Sequence, residues 1–188
     1  YRTPGIYHAS ESTTRPLDNV LARFLRQLAI SPLEALVHFG LAPLQTRRDI
    51  AMLGVIHRTI LGEGPIHFKS FFYLDVSDGS RYTRHRHSRH LHDPCAQSSC
   101  PLFLSRSVLG LIAIYNSLPQ YVVSTTSVQS FQKRLQEAVK YLAATGHDEW
   151  HSCLNRSALS RRSVLPRITE RAVRENGSLL PPVRLSSL

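Results

Sequence analysis

The chain has 188 residues, room for one domain of ordinary size plus tails, and a net charge of +10 carried by 20 Arg and only 3 Lys. Arg makes bidentate contacts with phosphate and carboxylate, so this balance fits an RNA or DNA partner; it fits equally well an Arg content set by the base composition of the coding DNA. Three cysteines do not read as a disulfide framework, and without any apolar run of about 18 residues we expect no membrane-spanning helix and no membrane partner.

The first residue is Tyr1, and YRTPGIYHASESTTRP has no apolar core of the signal-peptide type. We read the chain as a piece whose start lies elsewhere, in an intracellular setting, nuclear or cytoplasmic. Residues 1–15 are polar and without period, a disordered lead-in. Leu17, Val20, Leu21, Phe24, Leu25 and Leu28 then follow helical spacing and predict an amphipathic helix from Leu17 to Ala29. Ser31-Pro32-Leu33-Glu34 is a capping box with proline at the first helical position; it opens a short helix that Gly40 closes, with Leu33, Leu36, Val37 and Phe39 on its buried side. The densest apolar stretch comes next, with Thr46 expected as N-cap and Ile50, Leu53, Ile56, Ile60 and Leu61 on one face. Gly62 and Gly64 stop that helix, and Ile66, Phe68, Phe71 and Phe72 form a second short apolar element.

After Phe72 the pattern changes. Tyr73–Val76 is expected to be extended and Ser77–Ser80 a turn. Arg81–His92 carries four Arg and four His and no acid, so we expect a solvated loop or contact surface. Val108, Leu109, Leu111, Ile112 and Tyr115 fit a short buried helix, with a strand as the competing reading; Tyr121-Val122-Val123 is expected to be extended. A second capping box at Thr126–Gln129 opens a helix with Val128, Phe131, Leu135, Ala138 and Leu142 on one face and Gln132, Lys133, Gln136, Glu137 and Lys140 mostly on the other. From His151 onward seven Arg stand against two Glu without periodicity, a disordered basic tail. The fold class is therefore mainly α: a small irregular helical bundle of about five helices, spanning 16–150, with a basic His/Arg-rich loop at 76–101 and disordered termini at 1–15 and 151–188.

Candidate chemistry is sparse. His85, His87, His90 and His92 precede Cys95 and Cys100, but H-x-H-x2-H-x-H before C-x4-C matches no common zinc pattern, and the flanking Arg would repel a divalent cation. His147 and His151, spaced i, i+4, follow the glycine that ends their helix. His57 reads as packed in or at the rim of the core. Asp75 and Asp78 suit a turn better than two-metal chemistry. There is no phosphate loop and no nucleophile elbow. We thus expect no catalytic residue, no metal and no cofactor. The remaining signal is cationic: Arg47, Arg48, Arg58 and Lys69 from the central helical unit and Arg81, Arg84, Arg86 and Arg89 from the loop, with Tyr82 to stack on a base. The competing reading is a solvated charged surface.

One resemblance adds to this. Leu41-Ala42-Pro43-Leu44 followed by TRRDIAMLGVIHRTILGEGPIHFKSFF resembles the segment downstream of the polymerase core in non-LTR (LINE-type) retrotransposon reverse transcriptases, through Arg47 or Arg48, Leu53, His57, Arg58, Leu61, Gly62 and Pro65. The basic loop Arg81–Pro94 is similar to that family's variable basic loop. Ser107, Gly110, Tyr115, Asn116, Leu118 and Pro119 resemble its S-x-x-G-x-x-x-x-[WY]-N-x-L-P element, and Ser127, Val128, Phe131, Gln132 and Leu135 its S-[VL]-x-x-F-[KQ]-x-x-L element. The resemblance spans roughly 41–150. It implies an accessory region of an RNA-directed DNA polymerase that helps hold template or primer. The paired aspartates of the polymerase site are missing (Tyr73-Leu74-Asp75-Val76 has one), as are an endonuclease domain and a Cys/His knuckle. The expectation is a non-catalytic piece of that enzyme, contacting nucleic acid through Arg and packing on the missing polymerase core. The alternative is a stand-alone helical interaction module that binds another protein and has no nucleic-acid role.

Overall fold

The computed structural model of the chain describes residues 7, 9, 11–75, 86–100, 104, 107–148, 150–155 and 165–177. These form a mainly helical bundle: α1 (Glu11–Gln27), α2 (Pro32–Phe39), α3 (Leu44–Ile60), α4 (Leu111–Asn116), α5 (Gln120–Val123), α6 (Val128–Ala144) and α7 (Glu170–Gly177), with short 3-10 turns between them. Among the described residues the sole β pairing is an isolated antiparallel bridge between Leu74 and Leu91. No described helix is long and apolar enough to cross a membrane.

The core is built on the crossing of α3 and α6. Gly54, buried in the middle of α3, leaves room for the Gln132 side chain of α6; a Cβ built there would lie 2.5 Å from Gln132 Nε2. The helices therefore approach closely and bury Leu53 and Ile56 against Phe131, Leu135 and Leu142. Leu111, Ile112, Tyr115, Leu118, Val122 and Val123 from α4 and α5 complete the interior. α2 is capped as its sequence dictates: Ser31 Oγ accepts from the Glu34 N–H, the Glu34 carboxylate accepts from the Ser31 N–H, and Gly40 takes the left-handed C-cap conformation at φ 67°.

Several local expectations are corrected. α3 begins at Leu44 with Pro43 as N-cap; Thr46 is inside the helix, where its hydroxyl donates to the His151 carbonyl at 3.1 Å and ties α3 to the turn after α6. The last long helix starts one residue later than the Thr126 box implies, with Ser127 accepting from the Ser130 N–H. Tyr121-Val122-Val123 is helical: Pro119 sets a new first turn, and this local start outweighs the strand preference of two valines. In α2, Ala35 and Leu36 are buried while Leu33 and Phe39 are exposed. The 151–188 region is not wholly a tail. Cys153, Leu154, Leu165 and Ile168 are buried, and α7 follows them; residues 156–164 and 178–188 lie outside the described residues.

α1 starts at Glu11, six residues before the expected start at Leu17, and continues through Pro16 to Gln27. It leans on the bundle through Thr14 and Leu25, and Arg48 of α3 grips its Asp18 with both carboxylate oxygens at 3.0 Å. Its apolar stripe faces away: Leu17, Phe24 and Leu28 are about half exposed and Val20 is 68% exposed.

Candidate nucleic-acid interface

The described part of the basic loop, Arg86–His92, is not a solvated segment: it docks onto α4 and α5. Leu91 is fully buried, and its N–H and C=O are both paired with the Asn116 carboxamide at 2.8 Å. The Gln120 side chain accepts from the Ser88 N–H and donates to its hydroxyl. His87 is buried; its Nε2–H donates to the Tyr115 carbonyl at 3.0 Å and its Nδ1 accepts from the Arg89 N–H at 3.1 Å. Arg89 then reaches inward and donates to the Val123 and Thr125 carbonyls at 2.6 and 2.7 Å. Composition misled here, because a charged side chain is buried readily when main-chain carbonyls at a helix end are left to receive it.

These bonds meet at His57. Its ring lies flat on Phe131 with centroids 4.0 Å apart. Nδ1 is 2.9 Å from the Tyr115 hydroxyl and Nε2 is 3.2 Å from the Thr125 carbonyl. The tautomer that satisfies all three groups has Nε2–H donating to Thr125 and Nδ1 accepting from Tyr115. Burial, reinforced by the Arg89 guanidinium, pulls His57 down to about 4; burial, with His90, Arg86 and Arg89 nearby, does the same to His87. Both are neutral at physiological pH. Burial also raises the Tyr115 phenol well above its ordinary range and pushes the Cys95 and Cys153 thiols up to about 11 and 12. The arrangement suits structure-holding rather than proton transfer or nucleophilic attack.

The cations expected to touch nucleic acid fall into three groups. Arg47, Arg58 and Lys69 are exposed. Arg47 and Arg58 are eleven residues apart on α3, hence on one face and about 16 Å apart along the axis. Arg48, Arg86 and Arg89 are tied into the fold: Arg48 to Asp18, Arg86 to the Asp75 carboxylate at 3.2 Å and carbonyl at 2.8 Å, Arg89 as described. Arg81, Tyr82 and Arg84 lie outside the described residues, as do His85 and Asp78. No group of three or more His, Cys, Asp or Glu able to hold a metal occurs among the described residues. His90 is near Asp75, and the His92 ring stacks on Tyr73.

Sequence reasoning missed a further cationic site. The polar face of α6 is not plain solvated surface. α7 returns alongside it and forms a groove of about 490 Å³ lined by Tyr121, Lys133, Arg134, Lys140, Tyr141 and Arg174. The i, i+7 spacing of Lys133 and Lys140 was visible, but the helix that turns the face into a groove arrives from thirty residues further on.

No protein-family model, curated protein or solved structure matches the chain.

Proposed function

We propose that the chain is a non-catalytic C-terminal part of a retrotransposon RNA-directed DNA polymerase, a helical accessory region that contacts RNA or DNA through exposed Arg and Lys. The observation that carries this reading is a convergence. The three helical stretches in which the family resemblance was found, separated by long intervals in the chain, contribute His57, Tyr115 and Phe131 to one junction, with Asn116 anchoring the basic loop beside it. The motif residues then act by holding the loop and helices in place, and the exposed cations act on the phosphates.

The test is binding of a labelled single-stranded RNA by fluorescence anisotropy between about 50 and 200 mM salt. Three contacts by Arg47, Arg58 and Lys69 contribute about −2 to the slope of log affinity against log salt, at about 0.7 per phosphate on a single strand, and any further contact steepens it. Absence of binding at the low-salt end overturns the proposal.

The exposed stripe of α1 favours a second reading, an interaction module that docks on protein through Leu17, Val20, Phe24 and Leu28. Under the first reading the same stripe packs on the polymerase core. Association through an apolar face is weakly salt-dependent, so the same titration separates the two.

A further inference from the structure

We infer that the groove between α6 and α7 is a binding site for a segment of single-stranded nucleic acid one or two nucleotides long. The inference rests on the nucleic-acid reading above and gives it a location.

The groove is built, not incidental. Ile168 and Leu165 are buried just before α7, Val173 packs against the core, and Arg134 of α6 sits 3.9 Å from Glu170. These contacts set α7 beside α6. A concavity of about 490 Å³ is in the range of small-ligand sites and too small for a duplex. Two of the three lysines in the chain, Lys133 and Lys140, lie along it one heptad apart, and neither has a hydrogen-bond or ion-pair partner among the described residues. The arginines differ: Arg134 donates to the Tyr121 carbonyl and lies 6.0 Å from the centre of the Tyr121 ring, and Arg174 pairs with Glu170 at 2.6 Å. The lysines are therefore free to meet phosphate while Arg134 links α6 to Tyr121 and Glu170.

The other groups decide the class of ligand. Tyr121 and Tyr141 supply aromatic rings, the usual partners of unpaired bases. Glu137 and Glu170 supply carboxylates, which accept hydrogen bonds from amino groups such as that on cytosine. The Tyr121 hydroxyl is buried and has no hydrogen-bond partner. An acidic peptide would satisfy the lysines but bring no flat ring to Tyr121 and Tyr141. A nucleotide brings an anion, a flat ring and amino donors together.

The experiment uses the full chain and a fluorescein-labelled mixed-sequence RNA of about twelve nucleotides. A Lys133→Glu/Lys140→Glu variant, shown folded by circular dichroism, is compared with an Arg47→Glu/Arg58→Glu variant. The expected result is at least a tenfold loss of affinity in the groove variant and a salt slope shallower by about 1.4, two phosphates at about 0.7 each. In parallel, photocrosslinking with 4-thiouridine-substituted RNA is expected to label peptides of α6 or α7 in the unmutated chain, so the inference stays testable if the variant fails to fold. Binding unchanged in the groove variant but lost in the α3 variant overturns the inference and leaves the general reading standing. No RNA binding by the unmutated chain overturns both. Lysine-dependent capture of a poly-glutamate peptide without RNA binding overturns the ligand class.

Discussion

Protonating His87 at Nδ1 removes the acceptor for the Arg89 N–H, and protonating His57 at Nδ1 removes the acceptor for the Tyr115 hydroxyl. Each also places a second positive charge beside Arg89 in the interior. Both imidazoles are held near 4 in the folded chain, whereas the unfolded chain binds those protons near 6.5. Below about pH 6.5 the unfolded state therefore takes up more protons than the native one. Stability is complete above that pH and declines progressively towards pH 4. Thermal melts at steps between pH 7.5 and about 4 should show the midpoint falling through this window; a flat profile would mean the two rings are solvated. His57→Ala removes the stack on Phe131 and leaves the buried Tyr115 hydroxyl without its acceptor, while the Thr125 carbonyl keeps Arg89, so urea unfolding should register a loss of about 3 kcal/mol. His57 was legible as a packed histidine from its place on the apolar face of α3. Its partnership with His87 and Arg89 was not, because nothing in the loop's spacing or composition marks which of its charged residues turn inward.

Among the elements, the α3–α6 crossing depends on a missing side chain. Gly54→Ala sets a methyl against the far end of Gln132, which can swing aside, while alanine gains about 0.8–1 kcal/mol of helix propensity over glycine. The two effects should nearly cancel. Gly54→Leu has no such outlet and should push the helices apart, costing about 2–3 kcal/mol with loss of near-ultraviolet dichroism before helix content. Helices with a strong apolar period or a complete capping box, such as α2, α3 and α6, were readable to within three residues at their ends. The short α5 was not, since four residues carry no period and two valines argue for a strand. α7 was hidden because its own residues are almost all polar, and what docks it is Leu165 and Ile168 just upstream, too few to form a pattern.

At the scale of the molecule, the apolar stripe of α1 faces outward among the described residues. Because the α1 stripe is uncovered among the described residues, Val20→Glu with Phe24→Glu should alter unfolding free energy by less than about 0.5 kcal/mol, whereas Leu25→Ala on the buried edge should cost about 2–3 kcal/mol. Equal costs would mean that the stripe is covered. The mainly helical class could be read from periodicity alone, but the α1 stripe shows the limit of that method: amphipathicity identifies an apolar face without saying whether this chain supplies the surface that receives it.

The segment between Asp75 and Arg86 has its two ends fastened to each other. The Asp75 N–H donates to the His90 carbonyl, the His92 N–H donates to the Tyr73 carbonyl, and the Arg86 guanidinium grips Asp75. The two described flanks are thus held to each other by their own bonds. Doubling a loop adds only about 0.6 kcal/mol of closure entropy. An epitope spliced between residues 76 and 85 should accordingly lower the unfolding free energy in urea by no more than about 1 kcal/mol, because the flanks that carry the link to His57 and its neighbours are fastened to each other.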